Sequence, residues 1–228
     1  MVHSVPRAAL RGPTFIRLLA RLTAVETDAP GASLPDRLSR WLDWTHAIAL
    51  STALDGQTQV PDAEAPAFDA DVEAECAQVR ASLVRSIEGA RELATPGPAT
   101  MTASTPDYAP FRQRHLAIQR SIQAHTGQLR GRLRDMLAQC SPEMARLAEV
   151  DAVMEMALSP REHRLLGHVP AVMADHFDHL RRGADADGEN APGAWLDRFR
   201  QDMRHVLLAE LDVRLQPVEA LLAALRTR

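Results

Sequence analysis

The chain has 228 residues, 46% of them apolar and 4% aromatic, with a formal charge of -4. That length gives one long domain or two small ones, with enough apolar mass for a real core. The mild acidity argues against bulk binding to nucleic acid or to an anionic membrane surface.

All 26 basic residues are Arg and Lys is absent. Selection for bidentate phosphate or carboxylate contacts is one reading. Codon usage in a GC-rich genome is the plainer one, because the Arg residues are spread over the whole chain. Cys76 and Cys140 stand in helical sequence without a motif, so reduced, partly buried thiols are expected. Residues 1–12 hold no apolar signal region, and the apolar runs are too short for a bilayer. The expected location is therefore the cytoplasm. Leu and Ala favour helices, and no segment alternates like a strand. The fold class is all-α: a helical bundle of about seven helices with a long antiparallel hairpin and a long C-terminal helix.

The first helix carries Phe15, Ile16, Leu18, Leu19, Leu22 and Val25, with Pro13 in its first turn. After Ala29-Pro30-Gly31, Ser33 reads as an N-cap for a second helix. Its apolar face runs from Leu34 through Trp41 to Ala49, and Gly56 is placed to close it. Trp41 and Trp44 lie three apart and read as core or interface anchors. Residues 1–56 thus form an N-terminal helical pair, and 57–68 a polar linker.

Residues 69–139 read as an antiparallel hairpin. Its first arm, to about Leu93, has the stripe Val72, Cys76, Val79, Leu83 and Ile87. The acidic start and basic end of that arm suit the helix dipole. A Thr/Pro-rich stretch over 94–110 should be a flexible loop. The second arm has Phe111, Ile118, Ile122, Leu129, Leu133 and Met136 on one stripe. Arg112, Arg120, Arg130 and Arg134 lie on one flank of it, and Arg114 and Arg132 on the other.

Residues 140–228 read as a C-terminal helical unit. Ser141-Pro142 opens one helix, and Ser159-Pro160-Arg161-Glu162 has the form of a capping box opening the next. Pro170 should kink that second helix against the carbonyl of Leu166. Gly183 to Gly193 reads as a polar loop. The last helix, Trp195 to Leu225, carries a ladder of Leu208, Leu211, Leu215, Val218, Leu222 and Leu225 at spacings of three and four. Upstream, Leu196, Phe199, Met203 and Val206 follow a different frame, joined through a stutter. Near Val206 to Val213 apolar side chains face almost every direction, so that section should be buried on more than one side. Pro217 is expected to kink this helix rather than break it.

Three stretches carry a resemblance: PTFIRLLARL, SRWLDWTHAIALSTAL and PGAWLDRFRQDMRHVLLAELDVRLQPVEALLAAL. They resemble a family of uncharacterised proteobacterial proteins known only as a domain of unknown function. The likeness covers most of the chain outside the two Pro-rich linkers. It implies a length and boundaries, and it brings no activity, cofactor or catalytic residue.

Three chemistries compete. His168, Asp175 and His179 share a helical face and are weak metal candidates. They form neither the HExxH zinc motif nor the paired ExxH of di-iron bundles, so histidines at the surface are the plainer reading and no metal or cofactor is expected. The Arg flank (Arg112, Arg120, Arg130, Arg134) could follow a phosphate backbone, although such residues more often pair with acids of a neighbouring helix. No GxSxG elbow and no Gly-rich phosphate loop is present, so no catalytic residue is assigned. The leading expectation is a non-enzymatic cytoplasmic scaffold or adaptor that buries amphipathic helix faces against a protein partner or a second copy. Trp195, Phe199, Leu211, Leu215, Val218, Leu222 and Leu225 are the candidate contacts, with much of that ladder expected to serve as intramolecular core. A nucleic-acid-associated protein and a metal-binding bundle are the alternatives.

Overall fold

A computed structural model describes residues 14–23, 34–55, 70–94, 106–187 and 193–227. Among them are eight α-helices, one 3-10 turn and no strand. The helices are α1 (Thr14–Thr23), α2 (Leu34–Trp41), α3 (Trp44–Asp55), α4 (Ala70–Glu88), α5 (Ala109–Ala138), α6 (Pro142–Leu166), α7 (Val169–Asp187) and α8 (Ala194–Arg226). The turn is Arg91–Leu93. The all-α expectation holds. The expected linker over 57–68, the Pro13 and Ser33 helix starts and the Gly56 cap lie outside the described residues. So does 95–105, the greater part of the expected loop over 94–110.

α8 is the helix around which the others pack: it touches α1, α4, α5, α7 and the 3-10 turn. Phe199, Met203, Val206 and Leu207 are fully buried, and Glu210 and Leu211 nearly or fully so. Buried residues on consecutive positions mean burial on several sides, as the stutter implies. The lower ladder is spaced for one face, and Leu215, Val218, Leu222 and Leu225 are buried there. Pro217 is accommodated without a break, since α8 runs through it. Gly193 starts α8 in the left-handed region, at φ 90°, where a side chain would be strained.

α4 and α5 run antiparallel, as expected of the hairpin. Glu75 meets Arg132 at one end, and Glu92 meets Arg114 at 2.8 Å at the other. α6 then folds back along the opposite flank of α5. Ser141 caps it by accepting a hydrogen bond from the backbone N–H of Met144, with Pro142 in the first turn.

Three expectations fail. First, Ser159-Pro160 does not start a helix; Pro160 lies inside α6. Pro160 and Met156 are both exposed, so water reaches the carbonyl that loses its helical donor. The chain turns instead at Gly167-His168, and Pro170 is the second residue of α7. There its missing N–H has no helical acceptor to serve, so it starts a helix rather than kinking one. Second, Leu34 to Ala49 is two helices. The Asp43 carboxylate accepts from the backbone N–H of His46 at 2.9 Å, an N-cap that begins α3. That backbone hydrogen bond also holds the Asp43 carboxyl below its usual range. Third, α7 continues through Gly183 to Asp187, where a loop was expected. A Cβ at Gly183 would meet nothing within 4 Å, so that glycine marks no tight turn.

α3 rests on α6, with Ala53 buried. The Trp41 ring at the end of α2 receives the Arg161 guanidinium of α6 at 4.7 Å, a cation–π contact.

Candidate functional site

Three surfaces carry the chemistry this fold presents: a cleft beside α8, a polar seam between α5 and α6, and the outer face of α3.

The cleft lies between α1, α7 and α8 and encloses about 890 Å³. Beneath its lining lies an aromatic core. Phe177 and Phe199 stand edge to face at 5.0 Å, Trp195 joins Phe177 at 5.1 Å, and Phe111 joins Phe199 at 5.1 Å. Such T-shaped pairs add directional attraction to area burial and hold α5, α7 and α8 in register. On that core His176 of α7 is buried, its Nε2 2.9 Å from Oδ2 of Asp202 on α8. Asp202 is an acceptor, so Nε2 carries a proton. Nδ1 is buried without a hydrogen-bond partner.

Four guanidinium groups line the cleft, those of Arg21, Arg198, Arg200 and Arg204. Arg200 bonds Asp197 at 2.8 Å, and its Nε donates to the Glu92 carbonyl at 3.3 Å. Arg204 donates to the Leu93 carbonyl at 2.7 Å, while its Nε is buried without a partner. These two side chains tie the 3-10 turn to α8. Among the described residues the lining contains no hydroxyl or thiol.

The polar seam absorbs much of the Arg flank. Arg130 Nε and Nη2 fork onto the two carboxylate oxygens of Asp151 at 2.8 and 2.7 Å. Arg134 reaches Glu155 at 2.5 Å. Arg114 and Arg132 pair with Glu92 and Glu75 of the first arm. Arg112 and Arg120 are exposed, and the Arg120 Nε donates to the carbonyl of Leu116 one turn back. A phosphate backbone lying along this flank would have to displace the acids that hold Arg130 and Arg134.

A separate polar centre joins α5 to α8. Glu210, with no exposed surface, accepts from the Gln119 amide at 2.9 Å and from Arg214 Nε at 3.0 Å. Gln119 also donates to the carbonyl of Leu166, where α6 ends. Arg214 continues outward to Glu162 at 3.1 Å. His115, also fully buried, has its Nε2 3.7 Å from Glu210 Oε2. Sequence reasoning missed this centre. His115, Gln119 and Thr126 fall within the apolar stripe of α5, and Glu210 sits in the all-round apolar section of α8; a charged residue at that point was the available signal.

The weak metal candidates do not come together. His168 precedes α7 instead of sharing its face, and its Nδ1 lies 2.6 Å from the Arg164 carbonyl. Asp175 is exposed, and His179 lines the cleft. Among the described residues no three His, Cys, Asp or Glu side chains are placed to hold a metal ion. Among the described residues no disulfide forms; Cys76 is buried and Cys140 half-buried.

The candidate contacts on α8 lie inside the chain. Phe199, Leu211, Leu215, Val218, Leu222 and Leu225 are buried against other helices of the same molecule, and Trp195 is half-buried. The large apolar side chains left in water are elsewhere. Trp44 is 78% exposed, Ile48 50% and Leu54 53%, all on α3. Met156 and Leu165 of α6 are also exposed. No helix among the described residues is long and apolar enough to cross a membrane.

The model of a family described as "Protein of unknown function (DUF3348)" matches residues 1–227, and the chain belongs to that family. No curated protein and no solved structure matches it.

Proposed function

We propose that this member of the DUF3348 family is a non-enzymatic helical scaffold or adaptor of the cytoplasm, working through the outer face of α3. The observation that carries this reading is the exposure of Trp44, with Ile48 one turn on and Leu54 beyond it. A Trp with its ring in water gains little from the fold that displays it. Trp is also the residue type that most often anchors a protein contact. Because the α8 ladder is already desolvated within the chain, it leaves no apolar side for a partner. α3 is apolar on both sides: Ala53 is buried on one, and Trp44, Ile48 and Leu54 face outward on the other. The partner this face suits is another amphipathic helix, from a second protein or a second copy of this chain.

The test compares the native chain with Trp44→Ala and Ile48→Asp by light scattering, alone and after capture from the host. Loss of assembly with an unchanged melting temperature supports the reading. A native chain that stays monomeric and captures nothing, or variants that assemble as well as the native chain, would overturn it.

A further inference from the structure

Counted over the described residues, the cleft between α1, α7 and α8 holds more positive charge than its own acids neutralise. Its two carboxylates are both engaged, Asp197 with Arg200 and Asp202 with His176. Arg21 and Arg198 have no acidic partner among the described residues, and neither does Arg204. His179 and His205 add two more nitrogen-bearing rings to the same wall. The whole chain carries a formal charge of -4, so this concentration of cations is local and against the average. Like charges gathered in a concave site repel one another and raise the local potential for an anion.

The shape narrows the ligand class. A cleft of about 890 Å³ is small-molecule sized, and a rigid polymer duplex would not enter it. Among the described residues the lining has no Phe, Tyr or Trp ring, and its polar wall is guanidinium and imidazole. What the wall offers is guanidinium forks, which match the paired oxygens of phosphate groups. Two features mark it as more than a solvated charge run. Arg204 Nε and His176 Nδ1 are buried at the site without hydrogen-bond partners, a state that costs free energy in a finished interior.

We propose that this cleft is a binding site for a small phosphate-bearing polyanion, the di- or triphosphate group being the recognised part. Arg21 and Arg198 are its exposed clamps and Arg204 its inner one. Arg21 belongs to α1, whereas Arg198 and Arg204 belong to α8. A bound polyanion therefore fastens α1 to the central helix, and the proposal stands independently of the α3 face.

The experiment is calorimetric titration of the full chain, without a His tag, with tripolyphosphate at low salt. Saturable binding at one site is expected, together with a rise in melting temperature. Arg21→Glu and Arg198→Glu should each weaken it by about tenfold or more, since each removes a charge-assisted contact. Both side chains are exposed, so the variants should melt like the native chain. Arg112→Glu and Arg120→Glu, on the exposed flank of α5, should leave the affinity unchanged. Absence of saturable binding would overturn the proposal. So would an equal loss in the α5 variants, which marks nonspecific attraction, or tighter binding of citrate than of tripolyphosphate, which marks a carboxylate site.

Discussion

Glu210 of α8 accepts a hydrogen bond from the side-chain amide of Gln119 on α5 at 2.9 Å, in the interior of the protein and out of reach of water. Burial pushes the Glu210 carboxyl up, while His115, Gln119 and Arg214 push it down, and the net shift is below the usual carboxylate range. His115, with its Nε2 3.7 Å from the carboxylate, is the largest of the lowering influences, followed by the Gln119 amide and the Arg214 charge. The charge is thus kept inside because three polar arms meet it, one of which extends to the surface at Glu162.

This fixes a pH dependence. A carboxyl depressed by folding stabilises fully above its unfolded value near 4.3, and the contribution is lost as pH falls through the folded value. Glu210→Gln should cost about 1–3 kcal/mol at neutral pH. Its deficit against the native chain should shrink as the pH falls below about 4. Urea unfolding at pH near 7 and near 3 measures both gaps. A deficit that stays constant or widens in acid contradicts the assignment of a buried carboxylate.

Tyr108 gives an alkaline counterpart. It is the chain's one tyrosine, and its hydroxyl donates to the Pro170 carbonyl at 2.5 Å, joining the entry to α5 with the start of α7. Burial pushes its phenol up to about 12, against a smaller opposing pull from Arg112. A single tyrosine makes phenolate absorbance a one-site readout. Its midpoint should stand near 12 when folded and near 10 in denaturant. The raised value means that the Tyr108 contribution is complete below about pH 10 and is lost as pH rises toward 12. With no Lys in the chain, no ammonium group titrates in that window. Tyr108→Phe should lose about 1 kcal/mol at neutral pH and lack this part of the alkaline decline. A native midpoint near 10 would mean that the ring is in water.

Arg130 and Arg134 test what the Arg flank is for. Burial lowers the Arg130 guanidinium, and the Asp151 hydrogen bond and charge raise it by more, so it stays charged where it is half-buried. Reversal to Glu at both positions sets like charges against Asp151 and Glu155 and should cost about 1–3 kcal/mol, visible as a drop of several degrees in melting temperature. Arg112→Glu with Arg120→Glu should melt as the native chain does. Only the second pair, then, reports cleanly on retention by nucleic acid. Equal melting of the two double variants would show that the Arg–acid seam contributes nothing to the fold.

Much of the architecture was legible in one dimension. The stripes of α4 and α5, the stutter in α8 and the Ser141 cap all follow from helical geometry acting within a few residues. The local signals that misled were those with two valid uses. Ser159-Pro160-Arg161-Glu162 has the letters of a helix start, but α6 passes through it because Pro160 lies on the wet side. Pro170 was read as a kink and is a first-turn proline. The Asp43 cap is hidden in the sequence because the apolar period continues across it.

The sequence by itself determined that this chain is a set of amphipathic helices with one, the last, apolar on nearly every side. Helix propensity and apolar period are properties of neighbours along the chain, so they can be read there. Tertiary structure alone decided which sides are consumed. It enclosed the α8 ladder, left Trp44 in water, matched Arg130 to Asp151, and gathered Arg21, Arg198 and Arg204 at one cleft from helices far apart in sequence. Those outcomes depend on distances across the fold, where charge pairing and desolvation act, and no spacing along the chain encodes them.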